Sequence, residues 1–591
     1  MKTRKYISFI VAVLGIGFFS ACTDGNDWGI DGASNRVMTP KISSVKGGEG
    51  ALDVSFTSYG GNAYLIEVNE NPFSITDLDG DVQEGSITAI VTGSPGTISG
   101  LNGYTDYYVR MRSQSDSKTP SHWYYYAESS GTLKIAQTLG LQILEEVTDE
   151  DRQAEAITVR WIEGYAPTSI TATYLNGEEK AVISYPLDDE ARANRTFTCT
   201  GLTPSTIYAI RIYNGEECIG MRETKTLKAP PVADYTYTVE GDVIDQTIMD
   251  DVAAQAKENA GGAEIYAATF IIPAGKEVNV TAGTKGVVVP AGMTVYFYGA
   301  ESSDNVKGTL VFPYQLDIAG NHGEISFDNL NITAPGTGSN KYIINQTNAS
   351  STGNITFTAC HIYDVNCAVV RTQGSNAVNI GTITIDDCVI TNQGTMNQSY
   401  GYVINAGCTG GTISEVEITN STFNTCTVGI VNNNTKNDKY ISKVKISDCT
   451  FYNCIGSGYY LVNAGKDASS KLLPTDITIS NVVVGKLYNS GAKGYQTGAE
   501  KINLDHFYQT SGTKFNGGSF KSTDDGLKLD WRIGQFSDAD MFEDPGNGNF
   551  TLKHWFEQTS ADESKGQQFD IYGDPRWRQE TDTDEGSGDE E

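Results

Sequence analysis

The 591-residue sequence is poor in basic residues, in histidine and in long apolar runs. Lys and Arg total 42 against 73 for Asp and Glu, which gives a formal net charge of −31. So acidic a chain argues against a nucleic-acid partner and against broad attraction to anionic lipid. With five His and no Cys-x-x-Cys pair, we expect no zinc site. The apolar run at residues 7–19 is shorter than the roughly 20 residues of a membrane-spanning helix.

Glycine and tyrosine are plentiful, at 63 and 32 residues. Charged residues make up 19% of the chain, below the roughly 25% of an average protein. Together with abundant Ser, Thr and Asn, this composition predicts a turn-rich all-β protein that faces the outside of a cell.

The first residues have the order of an export signal. Residues 1–21 begin with basic side chains, continue into the short apolar run and end in small residues directly before Cys22. This order resembles the lipobox of bacterial lipoproteins. The resemblance implies that residues 1–21 are a signal peptide and that Cys22 carries the lipid. Residues 22–35 would then be a flexible tether on a protein anchored in the outer membrane and facing the exterior.

Two stretches near the front of the chain share one pattern with identical spacing, 101 residues apart. Their apolar residues alternate at period two, which predicts a strand with one buried face. The pattern resembles fibronectin type III sandwiches, in which a late-strand tyrosine packs across a corner. The resemblance implies two modules, at residues 36–135 and 138–228, that act as spacers or docking surfaces. The aligned residues are Leu101, Gly103, Thr105, Tyr107 and Val109 in the first copy and Leu202, Pro204, Thr206, Tyr208 and Ile210 in the second.

Trp123 begins a run of four aromatic residues in the first module. If exposed, these rings would form a platform for a sugar. The alternative is a final strand whose alternate aromatic side chains face the core, and this alternative is favoured.

A helix is predicted after the two modules. Ile244, Ile248, Val252 and Ala256 recur at helical spacing, and the pattern stops at residues 261–262, which are both Gly. A single helix ahead of a long β region is well placed to cap its open end.

A long repeat follows this helix. Apolar residues occur at offsets 0, 2, 5 and 7, and the starts of the motif are 28 to 33 residues apart. A fixed period of this size predicts a solenoid in which each coil buries its face against its neighbours. Turn-forming residues separate the two halves of the motif, and a second short strand recurs in each coil, so a parallel β-helix is expected. The motif starts at Ile325, Ile355, Ile383, Val416, Val444 and Ile477.

The repeat also explains most cysteines. Cys360, Cys388 and Cys449 share one position of the motif, and Cys426 and Cys454 share another. Stacked small apolar side chains account for this pattern without disulfides, although neighbouring thiols could oxidise.

The phrases at residues 542–545 and 573–577 are similar to the closing segment of Bacteroidetes surface lipoproteins with domains of unknown function 4957 and 5123. Those proteins join tandem fibronectin-like modules to a pectate-lyase-like right-handed β-helix. The resemblance implies a β-helix at residues 237–578 and an acidic tail at 579–591. It also implies polysaccharide handling beside an outer-membrane glycan transporter.

Catalytic candidates are few. Asp505 and His506 faintly resemble an element of pectate lyases, but the companion motifs are absent. Asp524 and Asp525, close to Arg532, could form a calcium and base cluster, although a polar loop is favoured. An adjacent Asp pair at residues 386–387 occupies the turn position of the repeat, and a structural role is favoured there.

Binding requires less than catalysis: aromatic rings along a groove, with polar side chains to hydrogen-bond hydroxyl groups. Because Tyr402 and Tyr460 both precede the second strand of a coil, they are expected to line one face. The candidates within the β-helix are Tyr400, Tyr402, Tyr459, Tyr460, Trp531 and Trp555.

The leading hypothesis is therefore a cell-surface glycan-binding lipoprotein without a cofactor. The alternative is a β-helix lyase or glycoside hydrolase that acts on pectin-like substrates, and the third is a passive structural or adhesive protein. The acidic charge would repel a polyuronate unless Ca²⁺ bridges it or a local basic group such as Arg371 intervenes. A neutral glycan remains open.

Overall fold

The protein is all-β, and its fold is described from a computed structural model. Its strands form two compact units, which we describe separately. For residues 495, 496, 501, 502 and 529–533 only the backbone is described. The structure describes residues 36–175, 181–302, 306–336, 341–433, 441–463, 475–496, 501–511, 513, 515, 529–533, 537–553 and 572–578.

The first unit begins with a sandwich of a three-stranded and a five-stranded antiparallel sheet. Leu52 and Val109 are fully buried between the sheets. Tyr107 is 2% exposed, and its hydroxyl accepts a hydrogen bond from the backbone N–H of Asn102 at 3.2 Å, so it packs across a corner as predicted. The strands are Lys41–Gly48, Ala51–Thr57 and Gly96–Ser99 in one sheet, and Ala63–Asn69, Ile87–Val91, Asp106–Gln114, Tyr124–Tyr125 and Ile135–Gln137 in the other.

A second sandwich follows in the same unit. Ile157, Val159 and Trp161 point into its core, as their alternation predicts, and Tyr208 is buried beside them. A short helix, Asp189–Asn194, precedes its fourth strand. The strands are Ala156–Arg160 and Thr196–Thr200 in one sheet, and Ser169–Tyr174, Val182–Pro186, Ile207–Asn214 and Glu217–Lys225 in the other.

The second unit contains the predicted capping helix, Gln246–Asn259, after its first two strands. The carboxylate of Asp245 accepts a hydrogen bond from the backbone N–H of Ile248 at 2.9 Å and so caps the helix start. Val252 and Ala256 are buried against the first coils. No helix among the described residues is long and apolar enough to cross a membrane.

A parallel β-solenoid forms the rest of this unit, as predicted. We call its 19-stranded sheet the large sheet and its six-stranded sheet the small sheet. The small sheet consists of Ile344–Gln346, Val370–Gly374, Ile404–Cys408, Val431–Asn433, Tyr460–Asn463 and Lys493–Gln496. The large sheet consists of Tyr235–Thr238, Val243–Ile244, Tyr266–Ile272, Glu277–Val280, Met293–Gly299, Thr309–Val311, Gly320–Asp328, Asn331–Thr333, Ser350–Thr358, His361–Tyr363, Val378–Asp386, Val389–Gln393, Ile413–Thr419, Thr422–Cys426, Ile441–Ser447, Thr450–Tyr452, Asp476–Val484, Lys501–Gln509 and Leu529–Ile533.

Shorter elements complete the unit. Two further pairs of strands are Val288–Val289 with Asp317–Ile318, and Phe542–Asp544 with Asn549–Leu552. Among the described residues, the remaining helical turns are Asp538–Met541, Asp149–Asp151, Pro545–Asn547 and Pro575–Trp577.

Successive coils of the large sheet pair without a shift as far as the strand Lys501–Gln509, so equivalent residues stack; the register shifts in the pairing of that strand with Leu529–Ile533. Ile325 pairs with Ile355, which in turn pairs with Ile383. The apolar offsets found in the sequence therefore become continuous buried columns. In one column the centroids of consecutive aromatic rings lie 5.4, 5.1 and 4.8 Å apart; its members are Phe270, Phe297, Phe327 and Phe357.

The turns between the long and short strands form a second stacked row. A left-handed backbone conformation, with φ between 48° and 57°, recurs there in coil after coil. Asp387 holds this position, so the adjacent Asp pair forms a turn, as favoured from the sequence. The row consists of Asn329, Ala359, Asp387, Asn420, Asp448, Asn481 and His506.

Every cysteine that the structure describes is buried and has a free thiol. Cys360 and Cys388 occupy one position of neighbouring coils, and burial raises the pKa of the Cys388 thiol well above its ordinary value. The interpretation of these residues as core thiols is confirmed.

Residues 572–578, which we call the closing segment, fasten several coils together. Asp574 is 1% exposed, and its carboxylate accepts a hydrogen bond from the Thr422 hydroxyl at 2.7 Å. Its backbone N–H donates to the Thr450 hydroxyl at 3.0 Å. Trp577 donates its indole N–H to Thr422 at 2.7 Å.

Two arginines of the closing segment contact the turn row. Arg576 pairs with Asp387 at 2.7 Å, and Arg578 pairs with Asp448 at 2.7 Å. The segment thus bridges coils that are far apart in the sequence, and Trp577 belongs to this contact rather than to a ligand site.

The buried carboxylate of the closing segment predicts a pH dependence. Because burial raises the pKa of Asp574 above its ordinary 3.8, the folded protein binds this proton more tightly than the unfolded chain. Its stabilising contribution is full below the unfolded pKa and is lost as the pH rises through the folded pKa. Asp574→Asn should therefore gain stability relative to the wild type as the pH rises above the ordinary pKa of 3.8, measured as the urea midpoint.

Asp540→Asn provides the matched control with the opposite sign. Hydrogen bonds from Ser537 lower the pKa of this exposed carboxyl group, so its contribution is present above the ordinary pKa and is lost as the pH falls. The control should lose a little stability relative to the wild type as the pH rises. If the stabilities of the two variants relative to the wild type changed with pH in the same direction, the described burial of the Asp574 carboxyl group would be wrong.

Candidate ligand-binding edge of the solenoid

A row of tyrosines runs along one edge of the small sheet. Tyr460 pairs with Lys493 in the next coil. In the earlier strands of the small sheet, Ile344, Val370, Ile404 and Val431 are aligned. The positions two residues before them, Tyr342, Ala368, Tyr402 and Gly429, are aligned by the same register. We call these six aligned positions, from Tyr342 to Lys493, the tyrosine row. Large rings alternate in it with an alanine and a glycine, and this alternation gives each ring room.

Tyr402 is a structural member of this row. It is 2% exposed, and its hydroxyl accepts a hydrogen bond from the backbone N–H of Tyr460 at 3.1 Å. A Cβ atom at Gly429 would lie 2.3 Å from a ring carbon of Tyr402, so the ring occupies the space that the glycine leaves. The prediction that Tyr402 offers its ring to a ligand is therefore wrong, because the next coil covers it.

Three other predicted tyrosines keep part of their surface in solvent. Tyr400, Tyr459 and Tyr460 are all half-buried. The ring of Tyr459 meets that of Tyr402 edge to face, with 5.8 Å between the centroids. Tyr460 carries Lys493 over its face, with Nζ 5.1 Å from the ring centroid. These rings are fixed by their neighbours and remain accessible.

Beside the tyrosines runs an amide row on the outer side of the small sheet. Asn345, Arg371, Asn405, Asn432 and Asn463 are aligned in successive coils. The amide of Asn463 donates to Asn432 at 2.7 Å, and that of Asn432 donates to Asn405 at 3.0 Å. The chain of amides stops at Arg371, since a guanidinium group accepts no hydrogen bond.

Three cations on this edge lie against aromatic rings and not against acids. Lys341 Nζ lies 4.3 Å from the ring centroid of Tyr314. The guanidinium carbon of Arg371 lies 4.7 Å from the ring centroid of Tyr400. Among the described residues, neither these two cations nor Lys493 forms an ion pair with a carboxylate.

The large sheet shows the opposite pattern. Lys443 pairs with Glu415, and Lys445 pairs with Glu417, each at 2.6 Å. These two positive charges are neutralised within the large sheet, whereas no described carboxylate pairs with the three cations of the small-sheet edge.

Trp123 is not an exposed platform. It is 2% exposed, and its indole N–H donates to the carbonyl oxygen of Gly80 at 2.8 Å. The guanidinium carbons of Arg110 and Arg112 lie 4.2 and 4.3 Å from its ring centroid, and Arg110 is itself paired with buried Glu67 at 2.8 Å. The ring packs against this buried charge cluster. It is therefore neither exposed to a ligand nor part of the core between the sheets.

Asp505 and His506 occupy a turn. His506 takes the left-handed position of the turn row, with φ 53°, and Asp505 pairs in register with Ser480. The two side chains contact each other, with 3.1 Å between the carboxylate oxygen and Nδ1. The turn geometry accounts for both residues.

Several predicted residues cannot be placed. Cys22, Asp524, Asp525 and Trp555 lie outside the described residues. Trp531 and Arg532 belong to the strand Leu529–Ile533, whose side chains also lie outside the description. Within the described ranges, no three His, Cys, Asp or Glu side chains are placed to hold a metal ion.

The sequence interpretation missed Tyr342, Lys341 and Lys493. Tyr342 precedes its strand at the same position of the repeat as Tyr402, so the repeat was sufficient to predict its place beside Tyr402. No sequence pattern marks the two lysines, because each contacts a ring of a neighbouring coil, Tyr314 for Lys341 and Tyr460 for Lys493.

Comparisons with known proteins give one domain match and two similar solved structures. Residues 444–577 match the model of a domain of unknown function, DUF5123. The FN1–FN3 domains of chicken CNTN1 match at 12% identity over 32% of this chain and 66% of that chain, with a TM-score of 0.13. A two-domain fibronectin type III segment of chicken tenascin matches at 14% identity over 32% and 97%, with a TM-score of 0.17. No curated protein matches the chain.

Because Tyr402 is buried and Tyr400 is partly exposed, replacing each of them by alanine should change the free energy of unfolding by different amounts. Tyr402→Ala should lower the free energy of unfolding by about 3 kcal/mol, because it leaves a cavity over Gly429 and removes a buried hydrogen bond. Tyr400→Ala should change it by less than about 1 kcal/mol, since that ring is half-exposed. Urea denaturation of both variants measures the difference, and equal losses would contradict the assignment of roles.

Proposed function

We propose that the protein is a cell-surface lipoprotein that binds a polysaccharide along the small-sheet edge. The carrying observation is that three half-buried tyrosines, an amide row and three cations that pair with no described carboxylate lie on that one edge. The ring faces suit stacking on sugars, and the amides suit hydrogen bonds to hydroxyl groups.

The dimensions of the edge fit a chain-like ligand. Neighbouring coils of a parallel solenoid are about 4.8 Å apart, so the five steps from Tyr342 to Lys493 span about 24 Å. This length accommodates several sugar units in a row. A repeating surface suits a repeating ligand better than a single small molecule.

The location follows from the start of the chain. The lipobox-like sequence before Cys22 supports a lipid anchor in the outer membrane, with the protein facing the exterior. The two sandwiches then act as spacers, and a glycan transporter of the outer membrane is the partner that receives the polysaccharide. The similarity of the closing phrases to Bacteroidetes lipoproteins supports this setting.

Affinity gel electrophoresis tests the binding function. The protein should be retarded in gels that contain its polysaccharide, within a panel of neutral and acidic plant glycans. Tyr400→Ala and Tyr460→Ala should each weaken retardation about tenfold, the equivalent of about 1.4 kcal/mol of stacking and contact energy. Tyr59→Ala is the matched control, because this tyrosine is exposed on the first sandwich.

Two outcomes would contradict this function. Unchanged mobility in every gel would exclude polysaccharide binding. Release of unsaturated or reducing-end products from any glycan of the panel would favour the lyase or hydrolase instead.

The anchor is tested separately. Cys22→Ala should move the protein from the membrane fraction to the soluble fraction and abolish incorporation of labelled fatty acid. If the variant stays in the membrane fraction, the lipid anchor is wrong, although glycan binding in gels would be unaffected.

A further inference from the structure

Arg371 is a partly buried cation whose hydrogen-bonding capacity is only partly used by the described residues. Its guanidinium group donates to the Tyr342 hydroxyl, and its central carbon lies 5.2 Å from the Tyr342 ring and 4.7 Å from the Tyr400 ring. Its Nε is buried without a hydrogen-bond partner. No carboxylate among the described residues pairs with it, although the chain carries an excess of acids.

The neighbours of Arg371 in the amide row are also incompletely bonded. Asn345 is 8% exposed, and its side-chain oxygen has no partner. Asn405 is 4% exposed; it accepts from Asn432, but its own amide nitrogen donates to no described residue. The two incompletely bonded asparagines lie on either side of Arg371, the position at which the chain of amide hydrogen bonds is interrupted.

Together these groups have the chemistry of an anion subsite. The guanidinium and the Asn405 amide are donors, and the Asn345 oxygen is an acceptor. A planar carboxylate or a sulfate oxygen would accept from the donors, and a neighbouring hydroxyl would donate to Asn345. The rings of Tyr342 and Tyr400 hold the guanidinium plane in place.

We propose that Arg371, Asn345 and Asn405 form a subsite for an acidic sugar, one that carries a carboxylate or a sulfate ester. This inference rests on the proposed polysaccharide-binding function and names its ligand class. Lys341 and Lys493 add positive charge at either end of the same edge.

The net charge of −31 does not oppose this assignment at short range. At physiological ionic strength, charges are screened over about 8 Å, so the cations of the edge dominate what a bound sugar experiences. The distant acids reduce the rate of approach, and added salt should weaken the binding of an acidic glycan more than that of a neutral one.

Affinity gels with the full-length protein test the subsite. The probes are polygalacturonate for the carboxylate, dextran sulfate for the sulfate ester and a neutral galactan, all with EDTA present to remove Ca²⁺. The wild type should be retarded by one acidic probe and at least tenfold less by the galactan. Arg371→Ala should abolish this preference, and Arg371→Lys should restore only part of it, since a lysine lacks the planar fork.

Two further variants control for folding and charge. Asn345→Ala removes an oxygen that bonds to nothing in the protein, so it should weaken retardation by the acidic probe without lowering the urea midpoint. Lys445→Ala removes a positive charge from the large sheet and should leave the preference unchanged.

The failures of the two proposals differ. Retardation by galactan as strong as by the acidic probes, with no effect of Arg371→Ala, would overturn the subsite and leave polysaccharide binding standing. Retardation by none of the probes or panel glycans would overturn both.

Discussion

The solenoid depends on one constraint: as far as the strand Lys501–Gln509, each coil hydrogen-bonds to the next in an unshifted parallel register. A residue therefore has its equivalent from the neighbouring coil as its closest contact, about 4.8 Å away. Apolar residues become buried columns, turn formers become a row of left-handed positions, and asparagines become a chain of amide hydrogen bonds. The tyrosine row follows the same spacing.

This constraint decides what the sequence can predict. The core columns and the turn row are periodic along the chain, so the offsets of the repeat revealed them before any coordinates. The placement of Tyr402 and Tyr460 on one face followed in the same way. The burial of Tyr402 did not, because its cause is a missing side chain, Gly429, one coil further on.

Contacts between distant segments were beyond prediction for a related reason. Trp123 is buried because Arg110 and Arg112 lie against its ring, and no spacing links these residues in the sequence. Arg576 reaches Asp387 across 189 positions. Such contacts depend on the folded arrangement of the chain and produce no periodic pattern in the sequence.

Charge distinguishes the two sheets of the solenoid. On the large sheet, lysines and glutamates of neighbouring coils neutralise each other, so that surface offers little to an ion. On the small-sheet edge, the three cations lie against aromatic faces, and no described carboxylate pairs with them. Aromatic contact thus fixes the position of these charges without neutralising them.

A crystal structure of the full chain with a bound oligosaccharide from its retarding glycan tests this account most directly. The account predicts sugar density along the small-sheet edge, stacked near Tyr400 and Tyr460, with an acidic group at Arg371. Density confined to the outer face of the large sheet or to the sandwiches, with that edge empty, would contradict it.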